Sequence, residues 1–184
     1  SPPWKRLSME EAFRRHAGID LARCQDVESL VQAARAAGID VPIESTWEEA
    51  FHIVFLTVVE PNLKQQRPLV LLDYPALVPT TARRADGKPW AERWELFIDG
   101  VEIANCYTEE TGKEQLESLL RDEQERKRKC RVQHEIDFGL AGAFPPDFPA
   151  VSGTALGVDR LEMVFSGEKS LKGVINFSFS DIVR

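Results

Sequence analysis

The sequence predicts an α+β fold, an antiparallel β-sheet flanked by helices, and three observations predict it. The first sixty residues carry helical spacing only. Two β-type segments then meet at Asp99-Gly100, a strong hairpin signal. That hairpin interrupts the regular strand–helix alternation that the crossovers of a parallel, doubly wound sheet would require.

From the N-terminus, Ser8 with Glu11 forms a capping-box pattern and Gly18 stops the periodic segment, so Ser8 to Ala17 reads as a short helix. Val27 to Ala37 is a second helix, ended by Gly38. Beyond Pro42, Trp47, Ala50, Phe51, Val54 and Phe55 recur at helical spacing and predict a helix over Thr46 to Val59. After Pro61 the character changes. Leu69 to Asp73 is a short apolar run, and Glu92 to Ile98 and Val101 to Tyr107 flank the two-residue turn, which requires positive φ at both central residues. Glu114 to Lys129 is a long charged helix, Pro145 to Pro149 a proline-bounded loop, and Gly153 to Val158 runs into a helix starting near Asp159.

At 184 residues, 43% hydrophobic and 29% charged, the chain suits one well-cored domain, helical over 1–60 and mixed over 61–184. No apolar run is long enough to span a membrane and the N-terminus lacks a signal-peptide core, so a cytoplasmic protein without membrane contact is expected. Cys24, Cys106 and Cys130 are too few and too scattered for a disulfide framework or a zinc site. A net charge of −7 argues against a broad nucleic-acid footprint. The basic run Arg126 to Arg131 comes after an acidic stretch and reads most simply as the cationic last turn of a solvated helix, the alternative being a docking site for an acidic or RNA-like partner.

Around a two-residue turn, Ile98 faces Val101, Phe97 faces Glu102 and Glu95 faces Ala104. Glu95 and Glu102 then become diagonal neighbours on one face, with Cβ atoms roughly 7 Å apart. Two carboxylates that close repel one another unless a cation lies between them, which suits a hard divalent ion such as magnesium or manganese. The same spacing also suits two solvent-facing residues on a half-exposed sheet.

Three segments carry a family resemblance. ERWELFIDGVEIANCYTEE resembles the lysyl-tRNA synthetase pattern R-F-E-x-x-x-x-G-x-E-x-x-N-G-[FY]-x-E, with Glu95, Gly100, Glu102, Asn105, Tyr107 and Glu109 in register. VSGTALGVDRLEMVF resembles motif 3 of class II synthetases, G-x-[GA]-x-G-x-D-R-[LM]. VEPNL with the later LVLLDYPA is similar to the family's strand and Y-P-A segment, so the likeness covers roughly residues 58–184. The resemblance implies an ATP-dependent ligase that activates lysine as an adenylate. It implies that Glu95 and Glu102 bind the magnesium ions that accompany ATP, and that Arg160 holds the γ-phosphate. Asn105 would contact the amino-acid carboxylate, Glu109 the side-chain ammonium, and Tyr107 would wall the same pocket. In an unbroken strand Asn105 and Glu109 face away from Glu102, so the resemblance requires a bulge or strong twist just after Ala104. Gly153 and Gly157 suit close backbone approach to a nucleotide or a bend. Asp159 reads as a helix cap or a brace for Arg160.

The third motif 3 residue is Ala155, where lysyl-tRNA synthetases usually carry Gly. Alanine there resembles the paralogue that lysylates elongation factor P, and its methyl narrows the pocket in the direction that selects (R)-β-lysine. Elongation factor P is then the expected acceptor, with tRNA-Lys ligation and a non-catalytic binding module as alternatives. Cys106 replaces the usual Gly after Asn105, and EETG replaces E-L-T-D, both beside the expected pocket. Nothing in the sequence resembles motif 1, which builds the dimer interface, or motif 2, whose arginine holds the α-phosphate. The chain is therefore expected to be the C-terminal part of a catalytic core, slow or inert alone, with a homodimer possible for the full-length protein.

Overall fold

The computed structural model describes residues 4–64, 68–128 and 134–177. It is α+β, with a five-stranded sheet in the order β1-β2-β3-β4-β5. The strands are β1 (Lys5–Ser8), β2 (Leu69–Pro75), β3 (Trp90–Ile98), β4 (Val101–Thr108) and β5 (Ser152–Leu156). Every pairing from β2 onward is antiparallel, as expected. β1 corrects the expectation of an all-helical start: Lys5 to Ser8 lie parallel to Leu69 to Leu72. Four residues are too short for an alternating pattern to show, and their partner lies some sixty residues away, so nothing local marks them as a strand.

Between β1 and β2 run α1 (Met9–His16), α2 (Val27–Ala36) and α3 (Trp47–Val54). The capping box of α1 is formed: the Glu11 amide donates to Ser8 Oγ at 3.2 Å and the Ser8 amide to Glu11 Oε2 at 3.1 Å. Thr46 and Glu49 build the same device at the start of α3. α3 does not continue regularly to Val59. It widens into a π-turn over Phe55–Val59 and closes as a 3₁₀ turn over Glu60–Leu63. The extra residue per turn rotates the side chains beyond it, and Glu60, which follows the turn, borders one cavity against the sheet with Phe55 and Leu56.

The three helices bury one face of β1, β2 and β3. Phe51 stacks between Phe13 at 5.2 Å and Trp47 at 5.4 Å, with Phe55 at 5.8 Å. Met9, Leu30, Leu69 and Leu71 complete the same core. A smaller core lies on the opposite face, where Leu96, Ile103 and Ala104 pack beneath Leu161 and Val164 of α5 (Val158–Ser166). α4 (Lys113–Arg128) carries the charged sequence as expected, and pairs such as Arg121–Glu117 at 3.1 Å and Arg126–Glu123 at 2.5 Å support the reading of a solvated helix. Lys129, Cys130 and Arg131 lie outside the described residues.

Candidate active site

The site is built on the β3–β4 hairpin. Asp99 (φ 51°) and Gly100 (φ 79°) both take positive φ, as the two-residue turn requires, and Ile98 pairs with Val101 and Phe97 with Glu102. The register then shifts. Leu96 pairs with Ala104, which leaves Ile103 as the extra residue of a β-bulge, and Glu95 pairs with Asn105 rather than with Ala104. The bulge sits two residues before the position required just after Ala104, and it has the required effect. Ile103 and Ala104 both turn to the core beneath α5, and Glu102 and Asn105 share the other face.

From that bulge the facing of each side chain is set by alternation. Leu71, Glu95, Asn105 and Ala155 form one row across β2, β3, β4 and β5. Arg93, Tyr107 and Gly153 form the next. Glu109 continues the same face of the chain and lies against Gly153, where a Cβ would fall inside contact distance of its carboxylate. The structure therefore gathers Glu95, Glu102, Asn105, Tyr107, Glu109 and Ala155 on one face. Cys106 is not among them: it pairs with Trp94 and Thr154 on the opposite face and is buried, so its thiol points away from the site.

Glu95 is the one buried charged residue of the described chain, 7% exposed. Its carboxylate accepts hydrogen bonds from the Tyr74 hydroxyl and from Arg93 Nη2 at 2.8 Å. Burial still pushes its pKa above the ordinary carboxylate value, against the lowering pull of those two donors. Burial also pushes the Tyr74 hydroxyl well above its usual range, helped by the adjacent Glu95 charge, so Tyr74 holds its proton and donates. Glu60, at the mouth of the cavity, is raised by burial and by the nearby Glu102 carboxylate. Glu60, Glu95 and Glu102 all border a cavity of about 170 Å³ between the end of α3 and the sheet.

Arg160 reaches this cluster from the first turn of α5. Its Nη1 donates to Glu102 Oε2 at 3.0 Å and to the Glu102 carbonyl at 3.1 Å. The α5 start is fixed by the Gly157 amide, which donates to the Ile103 carbonyl at 2.8 Å, directly at the bulge. Gly157, not Asp159, occupies the helix cap and no side chain caps it; Asp159 adds its charge to the first turn, and the hydrogen bonds of Arg160 go to Glu102.

Among the described residues no group of three or more His, Cys, Asp or Glu side chains forms a metal cage. The donor set nevertheless fits a nucleotide-borne magnesium ion. Such an ion takes one or two protein carboxylates and fills its octahedron with phosphate oxygens and water. Glu102 already holds a cationic group, the Arg160 guanidinium, at 3.0 Å.

The sequence profile of the family described as "tRNA synthetases class II (D, K and N)" matches residues 1–181. The chain belongs to this class II synthetase family. The match takes in the N-terminal helices as well as the segments that carried the resemblance. A lysine–tRNA ligase of Chloroflexus aurantiacus is 31% identical over 96% of this chain and 36% of its own length. An elongation factor P–(R)-β-lysine ligase of Histophilus somni is 32% identical over 96% of this chain and 55% of its own. A homologue of that ligase from Aquifex aeolicus is 36% identical over 90% of this chain and 53% of its own. The chain thus spans between about a third and just over half of the length of these relatives.

On this class II synthetase core, sequence reasoning missed three residues at the site: Glu60, Tyr74 and Arg93. Arg93 and Tyr74 stood within the segments that carried the resemblance, and an arginine two residues from a glutamate on one strand shares its face. Glu60 left no such signal, because its facing depends on the π-turn. No helix among the described residues is long and apolar enough to cross a membrane.

Proposed function

We propose that the protein activates (R)-β-lysine with magnesium-ATP and passes the acyl group to elongation factor P. The observation that carries this reading is the Ile103 bulge, which puts two carboxylates, an amide, a tyrosine and a further carboxylate on one face beside Arg160. In this reading Arg160 leaves Glu102 to hold the γ-phosphate by charge-assisted hydrogen bonds. Glu95 and Glu102 would hold magnesium, which supplies neutralisation of the phosphate charge. Gly157 lets the backbone approach the nucleotide. Asn105 orients the substrate carboxylate, Glu109 pairs with the side-chain ammonium, and Tyr107 walls the pocket with its hydroxyl tied to Thr81 Oγ1 at 3.2 Å.

The carboxylate oxygen attacks the α-phosphorus, the bond to the bridging oxygen breaks, and pyrophosphate leaves. The acceptor nucleophile then attacks the acyl carbon and AMP leaves with the bonding pair. What these residues contribute is alignment and charge stabilisation rather than covalent chemistry.

Ala155 supports β-lysine over α-lysine. It sits directly opposite Asn105, so its methyl projects into the row that would hold the substrate carboxylate. The net charge of −7 argues against a broad nucleic-acid footprint on this part of the protein. Lysine–tRNA ligation is the second reading, and its support is that relatives of comparable similarity carry that name. A cytoplasmic location and a homodimer of the whole protein accompany either reading.

Pyrophosphate exchange by the complete enzyme with each lysine isomer tests the assignment. Exchange dependent on (R)-β-lysine is expected, and exchange with α-lysine alone overturns the choice of substrate. In the complete enzyme, Arg160→Ala is expected to abolish ATP binding; retained affinity would place the γ-phosphate elsewhere.

A further inference from the structure

Two side chains that grip Glu95 contact neither ATP nor lysine in the proposed reaction. The Tyr74 hydroxyl donates to Glu95 Oε2, and Arg93 Nη2 donates to Oε1 at 2.8 Å. Each carboxylate oxygen therefore carries one donor, which fixes the plane of the group and leaves one acceptor site on each oxygen. Arg93 is itself immobilised. Its guanidinium sits 4.5 Å over the Tyr74 ring, and its Nε donates to Asn105 Oδ1 at 3.2 Å. Tyr74 is 4% exposed and has the Phe55 ring edge-on beside it at 6.5 Å. Tyrosine, arginine and glutamate thus form a closed unit in which no member can turn alone.

The backbone is bent to deliver Tyr74. Leu71 pairs with Glu95, so by simple alternation Tyr74 would face the opposite side of the sheet. The β2–β3 register shifts between Leu72 and Tyr74, and Asp73 takes φ +60° at that point. A non-glycine residue in this region costs free energy and is kept where the surroundings enforce it. Here the return is the hydroxyl against Glu95. A buried carboxylate that served packing alone would be a poor use of this strain, since an apolar group fills the same space without a desolvation cost.

We propose that Tyr74, braced by Arg93, is the positioning residue that fixes the Glu95 carboxylate in the orientation in which it meets a divalent cation carried on nucleotide phosphates. The proposal rests on Glu95 being a metal-binding residue. Partners that orient a ligating carboxylate commonly govern metal affinity by about 10- to 100-fold, and the hydroxyl removed in Tyr74→Phe is such a partner.

The direct test is a Mn²⁺ titration monitored by electron paramagnetic resonance, on the purified complete enzyme with a non-hydrolysable ATP analogue. Tyr74→Phe is expected to raise the Mn²⁺ dissociation constant by about 10-fold or more, with the circular dichroism spectrum unchanged at the assay temperature. Arg93→Lys keeps the charge and loses the fork, so it is expected to weaken Mn²⁺ in the same way. The double variant should be far less than multiplicative, because both act through one carboxylate. An unchanged Mn²⁺ affinity in Tyr74→Phe overturns the proposal; should that variant fail to fold, an unchanged affinity in Arg93→Lys does so. Glu95→Gln separates the two levels. If it retains Mn²⁺, the metal-binding reading of the site fails; if it loses Mn²⁺ and Tyr74→Phe keeps it, positioning alone fails.

Discussion

Gly153→Ala is a sharp probe of the site because it adds one methyl at a point where the structure shows what it meets. The new Cβ would lie inside contact distance of the Glu109 carboxylate oxygen, at the far end of a flexible side chain. The carboxylate must withdraw by roughly 1 Å to reach ordinary contact. If Glu109 pairs with the substrate ammonium at about 2.8 Å, that withdrawal lengthens the pair to about 3.8 Å. At an effective dielectric constant of about 20, the Coulomb attraction falls from about 5.9 to about 4.4 kcal/mol, a loss of about 1.5 kcal/mol. The expected result is a rise of roughly 13-fold in KM for the amino acid. The KM for ATP should be nearly unchanged, and so should the melting temperature, since only a flexible side-chain tip moves. Pyrophosphate exchange by the complete enzyme at varied amino-acid and ATP concentration separates these. An unaltered amino-acid KM, or an equal rise in both KM values, would refute the assignment of Glu109 to the ammonium.

Three further outcomes concern the frame that carries the site. Phe51→Ala removes the centre of the Phe13–Phe51–Trp47 stack, where Phe51 is 1% exposed, and should cost about 3–5 kcal/mol in urea unfolding. Ser8→Ala and Thr46→Ala each dismantle a capping box and should cost about 1 kcal/mol apiece, additively, since they serve different helices. His16 has a buried, unpartnered Nε2, and burial first, then the charges of Arg15 and Lys5, hold its pKa below 6.5. For a base with a lowered folded-state pKa, the unfolded chain takes up the proton first as pH falls. Stability should therefore decline as pH drops through 6.5 and level off below the folded-state value, and His16→Gln should flatten that step in urea midpoints.

The helices, the turn and the hairpin ends were legible because each is decided locally. Asp99-Gly100 demands positive φ, Ser8 and Glu11 satisfy each other's amides, and Phe51 with its neighbours repeats at helical spacing. The features that were not legible depend on partners distant in sequence. Lys5 to Ser8 form a strand only because Leu69 to Leu72 offer an edge. The face of Glu60 depends on a π-turn whose residues, Phe55–Val59, read as ordinary helix.

The bulge shows how far a pattern can be pushed and where it stops. Strict alternation along β4 contradicts the resemblance, because it sends Asn105, Tyr107 and Glu109 to the face opposite Glu102. That conflict correctly demanded a bulge or strong twist, but placed it just after Ala104, whereas the extra residue is Ile103. Packing chooses Ile103. It is 2% exposed, and with Leu96 and Ala104 it forms the small core beneath Leu161 and Val164, where a large β-branched side chain excludes more water than an alanine would. Its carbonyl then accepts from the Gly157 amide, which sets the start of α5 and so the point from which Arg160 reaches Glu102. One apolar residue on the far side of the sheet thereby decides both which carboxylates share the site and where the arginine enters it.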